Sequence, residues 1–219
     1  MLKIITLIFN FIKTEIVEII FPEYCVGCNK INTLICNDCY EQIEFISFPF
    51  RKSDQIKYLD EITVVVKYQD TIAKLIHTFK YRGVIGIGKT IANLIYRSAN
   101  ISNSNYLIPV PIHKNKKAIR GFNQTEIIAT ELSKLTNIPS IDLLIKIKNT
   151  ASQMSIKNKE QRKSNVADSF QINPKISKIP EIVTLIDDVI TTGGTLNECA
   201  KILKLHGTKK VMGLVLAQK

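Results

Sequence analysis

The sequence lacks any uninterrupted apolar run of about 18 residues, the length that a membrane-spanning helix requires. It also has no internal repeat and no low-complexity tract. Residues 1–21 are strongly apolar, but lysine, asparagine and glutamate interrupt them, and no small-residue cleavage site follows. We therefore predict an amphipathic helix rather than a span or a signal peptide. It would pack on the chain's own domain, on a partner, or on a membrane surface as a peripheral contact, and we expect a cytoplasmic protein.

Acidic residues are outnumbered, because 19 Asp and Glu stand against 30 Lys and Arg, which gives a net charge of +11. Such a charge favours phosphorylated small molecules, nucleic acid or an anionic membrane surface as partners. A lysine-rich solvated surface would give the same balance, so charge alone does not decide between them. The hydrophobic content of 45% excludes wholesale disorder, and 219 residues suffice for one ordinary domain and a small module.

Cysteine is sparse and unevenly distributed. Four of the five cysteines form two C-x-x-C pairs separated by seven residues, and these are Cys25, Cys28, Cys36 and Cys39. Four thiolates can close a tetrahedral Zn²⁺ site, with no position left open for catalysis. We predict a structural zinc site in a module of residues 1–55, in a reducing compartment. A redox dithiol pair and an iron–sulfur cluster are the alternatives.

A second candidate site follows an apolar, β-branched run at residues 182–186, which predicts a buried strand. The run ends at Asp187 and Asp188, and a helix is predicted from Leu196 to His206. Between them lies a small loop without bulky side chains, formed by Thr191, Thr192, Gly193, Gly194 and Thr195. Backbone N–H groups at a helix start suit a phosphate monoester, and carboxylates at a strand end can hold sugar hydroxyls or hydrated Mg²⁺. A tight turn capped by Asp is the plainer alternative.

The rest of residues 56–219 alternates between strand and helix patterns, which is typical of an α/β fold. Strands are predicted at 62–68, 106–112, 138–147 and 209–217, and helices at 71–82, 84–99 and 126–135. Asp70 is the expected N-cap of the first of these helices. Residues 113–120 are predicted to be a basic loop that holds an anion. Residues 148–165 are predicted to be a long mobile loop of the kind that forms lids.

Residues 83–90 match the pattern G-x-x-x-x-G-K-T of P-loop NTPases, and the run that ends at Asp187 and Asp188 would serve as the second NTPase motif. A P-loop must follow a strand, whereas residues 71–82 have a helical period. Val84, Ile85 and Ile87 also suit packing better than a phosphate cradle. The NTPase interpretation is therefore kept only as a rival.

The motifs resemble those of the ComF family of competence proteins, in which a zinc knuckle precedes a phosphoribosyltransferase domain. Residues 187–195 resemble the phosphoribosyl pyrophosphate (PRPP) signature of type I phosphoribosyltransferases. The other matching pieces follow in the order of the family and are the four cysteines, Phe79–Gly83, Pro109–Pro111, Arg120–Gln124, Gln153, Arg162, Asn165, Val166 and Phe170. They cover the chain from about residue 18 to its end.

The resemblance implies a type I phosphoribosyltransferase fold, with a central, mostly parallel sheet flanked by helices, and a link to DNA uptake and natural transformation. It implies binding of PRPP with Mg²⁺ and transfer of its ribosyl 5-phosphate to a nitrogen acceptor. Asp187 and Asp188 would hold the ribose hydroxyls, and residues 191–195 the 5-phosphate. The groups expected to meet the leaving pyrophosphate are Lys80, Arg82, Arg120 and, on the mobile loop, Arg162.

The sequence leaves open the acceptor and whether turnover occurs at all. A non-catalytic accessory that binds PRPP or single-stranded DNA is the alternative, since a basic groove with aromatic side chains can hold a strand. Charge for such a groove would come from Lys114, Lys116, Lys117, Lys157, Lys159 and Lys163. Tyr81 and Phe122 are the nearby aromatic residues.

Overall fold

The computed structural model describes residues 23–46, 56–84, 86–101, 104–149 and 168–219. The predicted helix at 1–21 and most of the predicted lid, with Arg162, lie outside these ranges. The helices are α1 (Asn37–Glu41), α2 (Asp70–Arg82), α3 (Gly86–Ser98), α4 (Lys114–Arg120), α5 (Gln124–Thr136) and α6 (Gly194–Leu205). The strands are β1 (Glu61–Lys67), β2 (Tyr106–Pro109), β3 (Leu144–Lys146), β4 (Phe170–Ile172), β5 (Ile182–Ile190) and β6 (Lys210–Gln218). Among these helices, none combines the length and the apolar composition needed to cross a membrane.

Four of the strands form a sheet in the order β1-β6-β5-β2, and every neighbouring pair in it is parallel. The sheet is flanked by helices, which confirms the predicted fold class. Strands β3 and β4 form a separate antiparallel pair in which Lys146 lies opposite Phe170. We call this pair the β3–β4 hairpin.

Strand β5 is apolar on both faces because a helical layer covers each side of the sheet. Successive side chains of a strand point to opposite faces. Accordingly, Ile186 packs in a core with the buried side chains of α2, α3 and α5. Leu185 packs in a second core with those of α6 and of the β3–β4 hairpin.

The predicted end of the β5 strand was wrong. Pairing with β6 continues past the acidic pair, with Asp187 opposite Val215 and Ile190 opposite Gln218. The two carboxylates therefore lie within the strand, and the turn begins at Thr191. A parallel neighbour of equal length supplies backbone partners along the whole of β5, and this outweighs the weak strand preference of aspartate.

Three other local predictions also need correction. Residues 114–120 of the predicted loop form helix α4, and the His113 ring accepts a hydrogen bond from Asn115 N at the helix start. Within the predicted strand 138–147, the segment Leu144–Lys146 forms strand β3, which pairs with β4. Gln69, and not Asp70, is the N-cap of α2.

The P-loop interpretation is excluded by the structure of residues 83, 84 and 86–90. Gly83 ends α2 in the left-handed conformation, with φ of 67°, and Gly86 to Thr90 form the first turns of α3. The stretch thus joins two helices, while a P-loop joins a strand to a helix. Ile87 is fully buried, as expected for a packing residue.

Gly88 allows α3 to approach α5, which gives a test of this packing. A Cβ at Gly88 would lie 2.4 Å from Ile127 Cγ2 and 3.2 Å from Phe79 Cζ. We expect Gly88→Ala to lower the free energy of unfolding by about 1–3 kcal/mol through overpacking, measured by urea denaturation. The matched Gly86→Ala, at an exposed position of the same helix, should be neutral or stabilising because alanine favours helix. Equal effects of the two changes would contradict the packing role of Gly88.

Candidate functional site

Asp188 lies on the face of β5 that is covered by α2 and α5, and its side chain is only 6% exposed. The Lys80 ammonium of α2 lies 2.7 Å from Asp188 Oδ2, and Gln124 Nε2 of α5 donates to the same oxygen at 3.2 Å. Burial opposes the charge on Lys80, but the pairing with Asp188 raises the pKa of Lys80. Lys80, which the sequence predicted as a pyrophosphate contact, is thus already at the acidic pair.

Arg120 extends this network toward the surface. Its guanidinium donates to Gln124 Oε1 and lies over the exposed ring of Tyr81, 5.7 Å from the ring centre. Gln124 therefore accepts from Arg120 and donates to Asp188, which fixes its amide orientation. Lys80 of α2 thus contacts the Asp188 carboxylate directly, and Arg120 of α4 is connected to it through Gln124.

Asp187 points to the opposite face of β5, and its electrostatic environment differs. Burial and the neighbouring Asp188 charge raise the pKa of Asp187 to about 7. Lys80, Lys146 and the Asp188 N–H, which donates to Asp187 Oδ1 at 2.9 Å, offset only part of this rise. The pKa of Asp187 therefore lies well above that of an ordinary aspartate.

The turn after β5 leads directly into α6. Gly193 has φ of 77°, and a Cβ there would lie 2.4 Å from Ile56 Cδ1, so glycine is required both by conformation and by space. Helix α6 begins at Gly194, so its first N–H groups face the turn. Asp187, Thr191, Gly193 and Thr195 line one shallow concavity. The predicted phosphate loop and one of the predicted carboxylates thus share a surface, and Thr192 lies in the same turn.

Arg82 is placed elsewhere. It comes two residues after Lys80 on α2, so the two side chains leave the helix about 200° apart. Arg82 is exposed and lines a cavity of about 840 Å³ beside the cysteine module, together with Tyr24 and Lys74. Its placement does not support the predicted contact with pyrophosphate.

Residues to which the sequence analysis gave no role at the acidic pair also interact with it, directly or through a neighbour. Gln124 contacts Asp188, and Lys146 of β3 lies close enough to Asp187 for each charge to affect the pKa of the other. Lys116 of α4 in turn affects the pKa of Lys146. The sequence feature that could have indicated a role for Lys146 is its place in an apolar run, where it is a cation between Ile145 and Ile147.

The four cysteines of the N-terminal module come together as predicted. Their sulfur atoms all lie within 4.8 Å of one another, and none forms a disulfide. Zinc–sulfur bonds of about 2.3 Å place the sulfurs of a tetrahedral site about 3.8 Å apart, so the cluster has the dimensions to hold a metal ion. Three of the thiols are buried, and Cys28 is exposed.

The environment of the cysteine module favours thiolate at one position. Burial opposes ionisation of Cys25, but N–H groups of Cys36, Cys28 and Gly27 lower its pKa to about 6. Burial and the neighbouring sulfurs raise the pKa of Cys39 to about 12, because several thiolates without a cation repel one another.

The cysteine module rests on the first turns of α2. A Cβ at Gly27 would lie 2.5 Å from the Cys39 sulfur and 3.0 Å from Thr71 Oγ1, and Lys74 Nζ donates to Gly27 O at 3.1 Å. Helix α2 therefore contacts the cysteine module at its first turns and carries Lys80 in its last turn.

Comparison with known proteins confirms the resemblance to competence proteins. No protein-family model matches the chain. The chain is 28% identical over 209 residues to "Competence protein F" of Haemophilus influenzae, and the match covers 84% of this chain and 90% of that protein. It is 29% identical to "Competence protein ComFC" of Streptococcus pneumoniae, over 67% of this chain and 63% of that protein. It is 23% identical to "DNA utilization protein YhgH" of Escherichia coli K12, over 68% of each chain.

Two solved structures are also similar over 58% of this chain and 25% of theirs. One is a glutamine PRPP amidotransferase from B. subtilis, with a TM-score of 0.40 and 17% identity. The other is described as an allosteric regulatory enzyme of purine biosynthesis, with a TM-score of 0.38 and 16% identity. The chain spans about a quarter of the length of these structures.

The unequal environments of the two carboxylates predict opposite effects on stability. The folded-state pKa of Asp187 lies above its unfolded value near 3.8, so its ionisation destabilises the fold as pH rises from about 4 through 7. Asp187→Asn should therefore raise the free energy of unfolding, by about 1–3 kcal/mol at pH 8.5 and by less at pH 5.5. Thermal melts at the two pH values measure the difference.

Asp188→Asn is the matched comparison, since it removes the partner of Lys80. We expect a loss of about 1–3 kcal/mol, because a mostly buried ammonium then lacks its counter-charge. Stabilisation by Asp188→Asn, or an Asp187→Asn effect that does not grow with pH, would contradict the assigned environments.

Proposed function

We propose that the chain is a phosphoribosyltransferase-domain protein that binds PRPP with Mg²⁺ and acts in DNA uptake. One observation carries the proposal: two adjacent carboxylates, cations from α2 and α4, and a glycine-rich helix start meet near the ends of parallel strands. This edge of an open α/β sheet is where such folds bind ligands.

Each part of PRPP has a chemically suitable partner. The turn of residues 191–195 offers backbone N–H groups to the 5-phosphate. Asp187 and Asp188 are suited to the ribose 2- and 3-hydroxyls, directly or through Mg²⁺, which prefers carboxylate and water oxygens. Lys80, which pairs with Asp188, and Arg120, which donates to Gln124, would contact the pyrophosphate. Arg162 is proposed as a further contact from the loop that contains it.

The same arrangement supports transfer to a nitrogen acceptor. The C1–O bond breaks with its electron pair going to pyrophosphate, the nitrogen lone pair forms the C1–N bond, and the acceptor nitrogen passes a proton to the leaving pyrophosphate. Positive charge that develops on the sugar ring is offset by the acidic pair, and the charge of the leaving group by Lys80 and Arg120. No covalent nucleophile is needed. Cys199 is fully buried, and burial raises the pKa of its thiol well above the usual value.

We further propose that the four-cysteine cluster holds a structural Zn²⁺. The geometry of the four sulfurs supports it, and so does the small local cluster in the described part of the module, where Ile35 packs against Cys25, Cys36 and Cys39. The free thiols fit a reducing, cytoplasmic location.

The proposed role in DNA uptake is supported by the names of the relatives, which refer to competence and to DNA utilization. Direct contact with single-stranded DNA has weaker support. Phe122 packs on Phe79, with ring centres 5.5 Å apart, so it has little ring left for stacking. Tyr81 is 69% exposed and is the better candidate of the two.

PRPP binding is tested by thermal shift. In the presence of Mg²⁺, PRPP should raise the melting temperature, because a ligand that binds only the folded state stabilises it, and ATP should not. Combined Asp187→Asn and Asp188→Asn should abolish the shift, whereas the control Lys89→Gln, in the sequence that resembles a P-loop, should retain it. Absence of a PRPP shift, or a larger shift with ATP, would refute the proposal. A pyrophosphate-release assay with candidate amines and bases then identifies turnover.

Zinc binding is tested by elemental analysis of the purified protein. We expect about one zinc per chain, and Cys25→Ser should lose it together with stability, since metal binding drives the folding of such modules. Cys199→Ser, the matched control, should keep the metal. Iron, or metal content that is indifferent to Cys25, would refute the assignment.

A further inference from the structure

One segment of the chain, residues 56–60, lies against the start of α6. Lys57 N and Tyr58 N both donate to Asn197 Oδ1, at 2.8 and 3.0 Å. Asn197 belongs to the first turn of α6, and its own N–H donates to Gly193 O at 2.9 Å. Asn197 is thus bonded to the glycine-rich turn through its backbone and to segment 56–60 through its side chain.

This attachment places Ile56 against the turn. A Cβ at Gly193 would collide with Ile56 Cδ1 and would lie 3.5 Å from Ile190 Cδ1, so the Gly193 backbone is packed against these two side chains. Ile56, Ile190 and Leu196 belong to the same buried core. The turn is therefore supported from its buried side by a side chain that comes from a distant part of the sequence.

The other end of segment 56–60 is fixed on β6. Asp60 N donates to Val211 O at 2.9 Å, and Asp60 Oδ2 accepts from Val211 N at 2.7 Å. The Lys204 ammonium of α6 lies 2.7 Å from the same carboxylate oxygen. The segment is therefore attached at both of its ends, to α6 and to β6.

The composition of the turn explains why it needs this support. Gly193 and Gly194 are adjacent, and glycine restricts the backbone less than any other residue. Backbone N–H groups bind an anion well only when they are already oriented, since ordering them on binding costs free energy. In the described part of the chain, the residues that line the concavity at the turn do not include Asn197 or Ile56. Their effect on a ligand there would therefore pass through the turn.

We propose that Asn197 and Ile56 are positioning residues for the anion-binding turn. Asn197 holds segment 56–60 on α6, and Ile56 holds Gly193 in its left-handed conformation, so that the N–H groups of the turn are oriented before a ligand binds. This inference rests on the proposed function, in which the turn receives the 5-phosphate. It predicts an effect on ligands that carry a 5-phosphate and none on pyrophosphate, whose proposed contacts are Lys80 and Arg120.

Calorimetry with Mg²⁺ present measures the affinities for PRPP, ribose 5-phosphate and inorganic pyrophosphate. Asn197→Ala should weaken PRPP and ribose 5-phosphate by about tenfold, because two hydrogen bonds to segment 56–60 are lost, and leave pyrophosphate within about twofold. Ile56→Ala should act in the same direction, whereas Ile56→Leu, which conserves the side-chain volume, should retain most of the affinity. Asn93→Ala is the matched control on α3, where the Asn93 side chain donates to Lys89 O, and it should change none of the affinities.

Nitrogen-15 relaxation tests the same role in the protein without ligand. The backbone order parameters of Gly193 and Gly194 should fall in Asn197→Ala and in Ile56→Ala, while those of β5 and β6 keep the values of a rigid backbone. A general loss of stability would not confine the change to the turn.

The outcomes separate this inference from the function on which it rests. If the wild-type protein binds none of the three ligands, the proposed function fails, and the effect inferred for Asn197 and Ile56 on binding fails with it. If the wild-type protein binds ribose 5-phosphate and Asn197→Ala binds it equally well, only the positioning role is refuted. Equal losses for pyrophosphate and ribose 5-phosphate, or unchanged order parameters at Gly193, would also refute that role.

Discussion

The position of β5 between two parallel neighbours determines the arrangement of the candidate site. Both faces of the sheet are covered, so consecutive side chains of β5 enter different cores. Two adjacent aspartates in such a strand cannot share one environment. One must face α2 and α5, and the other must face the β3–β4 hairpin and α6. The division of the surrounding cations into two groups follows from this alternation.

The two environments differ in how they accommodate a negative charge. Asp188 lies in direct contact with Lys80 and Gln124, which are held by helices packed in the core. Asp187 has no cation at such close range among the residues described, and its pKa rises instead. The site thus combines a carboxylate that is costly to ionise with cations that repel one another. A ligand with hydroxyls and several negative charges satisfies both, and this gives a physical basis for binding energy at this edge of the sheet.

Much of the framework could be predicted from periodicity and spacing. The helical pattern of residues 71–82 placed Ile72, Leu75 and Phe79 in the core, where they are buried. The spacing of the cysteines predicted a cluster, because two C-x-x-C pairs have few other uses. The central parallel sheet was predicted from the alternation of strands and helices and from the motifs that resemble a known family.

The parts that could not be predicted depend on contacts between distant segments. Strand β5 continues through Asp187 because β6 pairs with it, and a local reading of hydrophobicity cannot show that pairing. Residues 113–120 have a composition that suits a loop. Residues 114–120 nevertheless form helix α4, with His113 as its N-cap and Gly121 as its C-cap. Lys146 reaches the site only because the β3–β4 hairpin folds over the face of the sheet, so its position in the sequence gave little indication of a role.

Gly27 of the cysteine module packs against α2, the helix that also carries Lys80. The cysteine cluster and the acidic pair share no residue, but both contact this helix. Thr71 and Lys74, which contact Gly27, lie in the first turns of the helix whose last turn carries Lys80. A helix transmits displacement along its axis, since its hydrogen-bonded turns resist compression. With the ligands proposed above, a metal at the cysteine cluster and an anion at Asp188 would both act on this helix, and any effect of one on the affinity for the other would be reciprocal. On that proposal, a chelator or an oxidant of the thiols would weaken anion binding near Asp188, and a bound anion would raise the affinity of the cysteine cluster for its metal.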